Sequence, residues 1–115
     1  MNEYLFIYRS SPIVASPEEM QKQTQKWISW MKSLGETGHL VDRGQPLESG
    51  GKIVRGTQKP RTITDGPYAE TKDIIGGYTL VQAKDLEAAA ALSADSPIFE
   101  SGGLVEVRPI RQLSM

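Results

Sequence analysis

The segment Asp65-Gly66-Pro67-Tyr68 holds the densest chemistry in the chain. An aspartate opening a turn ordinarily accepts the backbone N–H two residues on, but proline at position 67 has none to donate. The Asp65 carboxylate must turn instead to Tyr68, Ala69, water or an outside group. Two readings follow. Asp65 is either the N-cap of a helical turn beginning near Tyr68, or a general base or ligand acceptor at a pocket mouth. His39 is the single histidine, and histidine is the side chain that titrates near neutrality without perturbation. It would shuttle protons if it met Asp65; otherwise it is a half-exposed residue opening a strand. Arg9 and Arg108 matter if they line a cavity, because a guanidinium clamps a carboxylate or phosphate through paired donors. Tyr8 and Tyr68 would shape the same pocket. Glu70 with Lys72, and Glu106 with Arg108, read as exposed ion pairs, each worth ~0–1 kcal/mol.

Much chemistry is excluded. The 115 residues contain no cysteine, which removes disulfides, thiolate nucleophiles, iron–sulfur clusters and thiolate zinc sites. One histidine cannot build a multi-histidine centre, and no carboxylate cluster at ligand spacing stands out, so neither a metal nor a cofactor is expected. There is no phosphate loop, no Gly-x-Gly-x-x-Gly fingerprint and no nucleophile elbow. The charge balance of 13 basic against 14 acidic residues leaves no footprint for nucleic acid or an anionic membrane. No run approaches the ~20 apolar residues that span a bilayer. The N-terminal apolar run contains Glu3 and has no basic flank, so a cytoplasmic location is expected.

The elements that must position these residues can be read from pattern. Glu3–Arg9 is aromatic and β-branched and ends at Ser10-Ser11-Pro12, as a strand does. Ser16, Pro17 and Glu19 form a helix start of the capping-box type. Met20, Thr24, Trp27, Ile28, Met31 and Leu34 then give an apolar stripe with Trp30 on its flank, and Gly35 or Gly38 stops the helix. His39–Leu47 reads as a second strand broken by Gly44 and Pro46. Short extended pieces at Lys52–Arg55 and Arg61–Thr64 suggest an edge ribbon. Gly76-Gly77 reads as a turn before a strand at Tyr78–Ala83, Asp85 caps a helix over Leu86–Ala94, and Leu104–Ile110 alternates as a last strand. One domain over 1–115 results. Its order β-α-β-β-α-β, with an extra mid-chain ribbon, is the α+β ferredoxin-like arrangement, with both helices on one sheet face.

Leu5, Ile7, Val81, Val105 and Val107 are assigned to the helix-packed face. Tyr4, Phe6, Tyr8, Tyr78, Leu80, Glu106 and Arg108 are assigned to the open one. A one-residue slip would exchange the two sets on any strand. An open face this aromatic is larger than a monomer usually exposes, so a homodimer packed sheet to sheet is expected.

The same residues carry a family resemblance. Asp65-Gly66-Pro67-Tyr68, Glu70, Lys72, Gly76-Gly77-Tyr78 and Val105-Glu106-Val107-Arg108-Pro109 together resemble the YCII-related superfamily, more closely its DGPF branch. Tyr68 stands where that branch has phenylalanine. The resemblance implies a dimeric α+β barrel and, in some members, a proposed His–Asp pair or a link to sigma factors or degradative enzymes. Asp65 carries over with the tetrapeptide, whereas His39 follows the first-helix region in which a histidine would be placed. The functional expectation is a small-molecule cleft with acid–base chemistry at Asp65, served by His39, Tyr8, Arg9, Tyr68 and Arg108. The alternative is a non-catalytic regulatory module that docks a partner such as a transcription factor.

Overall fold

The computed structural model describes residues 1–12, 14–66 and 73–113. The elements run β1 (Asn2–Ser10), α1 (Pro17–Glu36), β2 (Leu40–Asp42), β3 (Gly51–Arg55), β4 (Thr62–Gly66), β5 (Ile74–Ala83), α2 (Leu86–Ser93), a 3₁₀ turn (Pro97–Ser101) and β6 (Leu104–Pro109). β2, β5, β1 and β6 form an antiparallel four-stranded sheet in that order, while β3 and β4 make a separate two-stranded ribbon. With the ribbon set aside, this is the expected β-α-β-β-α-β path.

Local chemistry explains the helices. Ser16 Oγ accepts the Glu19 N–H at 3.2 Å, and Pro17 occupies the first turn, where its missing donor costs nothing. Gly38, at φ 79°, adopts the left-handed conformation that turns the chain into β2. The Asp85 carboxylate accepts the Ala88 N–H at 2.8 Å and starts α2. The α1 stripe is rotated from the expected one. Trp30 and Leu34 are buried and Trp27 and Met31 pack beside them, whereas Met20 and Ile28 are more than half exposed.

Three expectations are corrected. First, β1 is turned over: Tyr4, Phe6 and Tyr8 face the helices, and Leu5 and Ile7 lie on the open side, beside Tyr78 and Leu80. Directly paired residues share a face, and Tyr4 pairs with Val81, Phe6 with Val107 and Tyr8 with Val105. The bulkier rings take the covered side because Trp27 and Trp30 meet them there. Phe6 stacks on Trp30 with centroids 6.1 Å apart, and Tyr8 meets Trp27 edge-on at 4.8 Å. Second, Gly76 and Gly77 lie inside β5, where the β1 register shifts between Tyr8 and Arg9. Third, the sheet is not a closed α+β barrel. It ends in free edges at β2 and β6, and four strands are about half the number needed to close around packed side chains.

Candidate functional site

A cleft of about 500 Å³ opens between the ribbon and the end of the main sheet. Arg9 of β1, with Ile74 and Ile75 of β5, lines its sheet side. Gly51, Lys52, Ile53 and Gly66 line its ribbon side, and Leu47, Glu48, Gly50 and Asp73 complete it. The register shift after Tyr8 puts Arg9 opposite Ile75. Ile74 is buried, while its neighbour Ile75 is exposed. Gly66 is required by packing: a Cβ there would run into the Ile53 side chain, which reaches diagonally across the ribbon.

Asp65 is a strand residue of β4 rather than the opening of a turn. It pairs directly with Lys52 across the ribbon, and the carboxylate accepts from Lys52 Nζ. With its side chain 89% exposed, it stands at the surface beside the cleft. It caps no backbone N–H among the described residues. Tyr68, Glu70 and Lys72 lie outside the described residues. Gly66 and Asp73, the nearest described residues on either side of them in sequence, both line the cleft.

Arg9 is held in place. Its Nε donates to Glu106 Oε1 at 3.0 Å and its Nη1 to the Asp73 carbonyl at 3.4 Å. The other Glu106 oxygen accepts from Arg108 Nη1 at 3.0 Å, so one carboxylate bridges two guanidinium groups on the open sheet face. The Arg108 hydrogen bond, opposed in part by desolvation and helped by the Arg9 charge and hydrogen bond, holds the Glu106 carboxyl below its usual value. Arg108 itself is exposed on that face and is not among the cleft lining.

The structure separates the remaining candidates from the cleft. Tyr8 lies within the aromatic core, where its hydroxyl donates to Thr79 Oγ1 at 2.7 Å and Thr79 donates to the Arg43 carbonyl at 3.0 Å. Burial pushes its phenol well above the ordinary value, a shift the Thr79 hydrogen bond only partly offsets. His39 Nδ1 donates to the Gln82 carbonyl at 2.9 Å, near the far end of β5 from Ile74. Among the described residues nothing joins it to Asp65. Eight strand steps separate Ile74 from Gln82, roughly 26 Å at about 3.3 Å per residue. Of the cleft's lining, sequence reasoning named only Arg9 as a site residue; Lys52, Ile53, Asp73 and Ile75 are among those it missed. The expected pieces Lys52–Arg55 and Arg61–Thr64, paired end to end, set Lys52 against Thr64; the observed register is one residue further on and sets it against Asp65.

Among the described residues no group of three or more histidine, aspartate or glutamate side chains is placed to hold a metal, and no helix is long and apolar enough to cross a membrane. Fold and cleft together define an α+β split β-α-β domain with a ligand-sized opening where an inserted ribbon meets the sheet. The chain belongs to the YCII-related domain family, whose model matches residues 2–114. No curated protein matches it significantly. Among solved structures it is similar to 5-chloro-2-hydroxyhydroquinone dehydrochlorinase (TftG) of Burkholderia phenoliruptrix AC1100, in complex with 2,5-dihydroxybenzoquinone. That likeness has 14% identity over 94% of this chain and 93% of the other, with a TM-score of 0.41.

Proposed function

We propose that this YCII-related domain binds a small molecule in the cleft between ribbon and sheet, and that it belongs to the DGPF branch. The observation that carries the reading is the cleft's frame: Gly66 and Asp73, the two ends of the segment bearing the tetrapeptide, both line a volume of about 500 Å³, within the usual ligand-site range of about 300–1,000 Å³. Arg9 supplies a fixed polar group in the lining, and Asp65, itself outside the lining, a carboxylate bonded to the lining residue Lys52. Asp65 serves as the ligand acceptor, exchanging Lys52 for a donor on the bound molecule. Proton transfer at Asp65 is the chemistry this arrangement supports if the domain is an enzyme. The test is a thermal-shift screen of polar and aromatic metabolites run on wild type, Asp65→Asn and Asp65→Ala. Hits that weaken in both variants, with unliganded melts unchanged, support the reading. A screen whose hits ignore both substitutions removes Asp65 from the site.

A second copy of the chain on the open sheet face belongs to the same proposal. The chain exposes 8537 Å², whereas a compact monomer of this mass exposes about 6,200 Å². That excess belongs to the whole chain; on the open face itself Ile75, Tyr78 and Leu104 are each more than a third exposed, an apolar surface that a second copy would cover. The radius of gyration, 16.2 Å, likewise exceeds the about 13 Å of a compact chain. Ile7→Lys and Tyr78→Lys should convert a dimer to monomer in size exclusion with light scattering. A monomeric wild type at micromolar concentration ends this part of the proposal.

A further inference from the structure

Resting on the cleft reading above, we infer that the ligand is a monocarboxylic acid with an apolar body, its carboxylate seated on Arg9. The guanidinium is already oriented. Glu106 holds Nε and the Asp73 carbonyl holds Nη1, while Nη2 has no partner among the described residues. The side chain is 32% exposed and lines the cleft, so docking at Nη2 displaces no buried partner. A guanidinium already anchored at Nε and Nη1 loses little freedom when a carboxylate oxygen docks on its Nη2 hydrogens, a charge-assisted contact. Lys52 also lines the cleft, but its ammonium is already paired with the Asp65 carboxylate.

The walls set the rest of the molecule. Leu47, Ile53, Ile74 and Ile75 present branched aliphatic surface around the guanidinium, which suits a ring or a branched chain rather than a sugar. The surrounding charge sets the number of anionic groups. Glu106 is bonded to Arg9, and Glu48 and Asp73 line the cleft, so a second negative charge on the ligand would meet carboxylates. Like charges disfavour one another, and neither helix contributes a lining residue whose N–H groups could offset them. A single carboxylate fits; a phosphate dianion or a dicarboxylate does not.

The experiment is an NMR titration of the ¹⁵N-labelled full chain with benzoate and phenylacetate, with their neutral amides benzamide and phenylacetamide, and with phthalate. The amides of Arg9, Ile53 and Ile75 report on the cleft. At least one acid should bind tenfold or more tighter than its amide, and phthalate should bind more weakly than benzoate. Arg9→Gln should bring acid and amide to equal affinity without weakening the amide, and Arg9→Lys should keep part of the preference. Equal affinity of acids and amides in wild type overturns the inference while leaving the cleft reading intact, and that comparison stands even if an Arg9 variant fails to fold. Tighter binding of phthalate overturns the single-charge argument. If no probe moves those amides, the inference and the cleft reading fall together.

Discussion

Tyr8 and Arg9 are neighbours in sequence and have opposite surroundings. Tyr8 points into the helix-covered side, packed by Trp27 and Trp30 and hydrogen-bonded to Thr79. Arg9 points to the open side, where it meets Glu106 and the cleft. One strand thus carries a sealed face built for stability and an open face built of charges and half-exposed aliphatics. The difference shows where selection for stability and for recognition can act separately: alternate residues of β1 answer to different demands.

Substitutions on the two faces should break or sharpen that contrast. The largest effect belongs to the sealed side: Phe6→Ala removes a fully buried ring and should cost ~3–5 kcal/mol in urea denaturation. Ile7→Ala, next door on the open side, should cost well under half of that at low protein concentration. Equal losses would mean the open face is covered even in the isolated chain. Gly66→Ala comes next, at ~1–3 kcal/mol, because its methyl group collides with Ile53. The same substitution in an Ile53→Ala background should be nearly free, and a loss that persists there would place the strain in the backbone.

Tyr8→Phe is milder, about 0.5–1.5 kcal/mol for a lost buried hydrogen bond. Its pH dependence is more informative. The folded chain holds the Tyr8 proton more tightly than the unfolded chain, whose tyrosines ionise near 10.0. The Tyr8 contribution is therefore whole below that pH and lost as pH rises through the higher folded value. Alkaline melts of wild type should fall more steeply above pH 10 than those of Tyr8→Phe; parallel curves would contradict the buried assignment. The smallest effect is at Glu106, whose carboxyl is shifted down. Its contribution is present above the ordinary 4.5 and fades as pH falls through the lower folded value. Carbon-detected titration should find it ionising below the other glutamates, and Arg108→Gln should bring it back towards them.

Periodicity and capping made the element order legible in the sequence. Ser16, Asp85 and Gly38 act through local bonds and dihedral angles, which neighbouring residue types are enough to specify. The faces of β1 were harder, because Tyr4, Phe6 and Tyr8 alternate with Leu5 and Ile7 and both rows are apolar. Only pairing with Val81 and packing against Trp27 and Trp30 decide between them, and both are long-range facts. Asp65 was legible as a residue of interest but not as a strand residue, since its partner Lys52 is chosen by ribbon register. Glycine at positions 76 and 77 suggested a turn; in the fold, Pro46 and Leu47 approach the β5 backbone there, and a side chain on Gly77 would crowd Gln45 and Pro46. His39 and Asp65 read as partners only until His39 is placed beside Gln82 at one end of β5 and Asp65 on β4 of the separate ribbon.

Among the described residues the ribbon's two outer edges are unpaired, and on one face Val54 lies directly opposite Ile63, both more than half exposed. Such a surface is a template on which another copy's strand can add. Lys52, Arg55, Lys59 and Arg61, set against Asp65 alone, give the stretch from 51 to 66 a strong positive excess. Mutual repulsion between ribbons therefore opposes fibril-like stacking. That protection is electrostatic and screened, with a range near 8 Å at physiological ionic strength and about 3 Å at 1 M salt. Colloidal stability of this protein should consequently decline as salt rises, under conditions in which the folded domain itself is unperturbed.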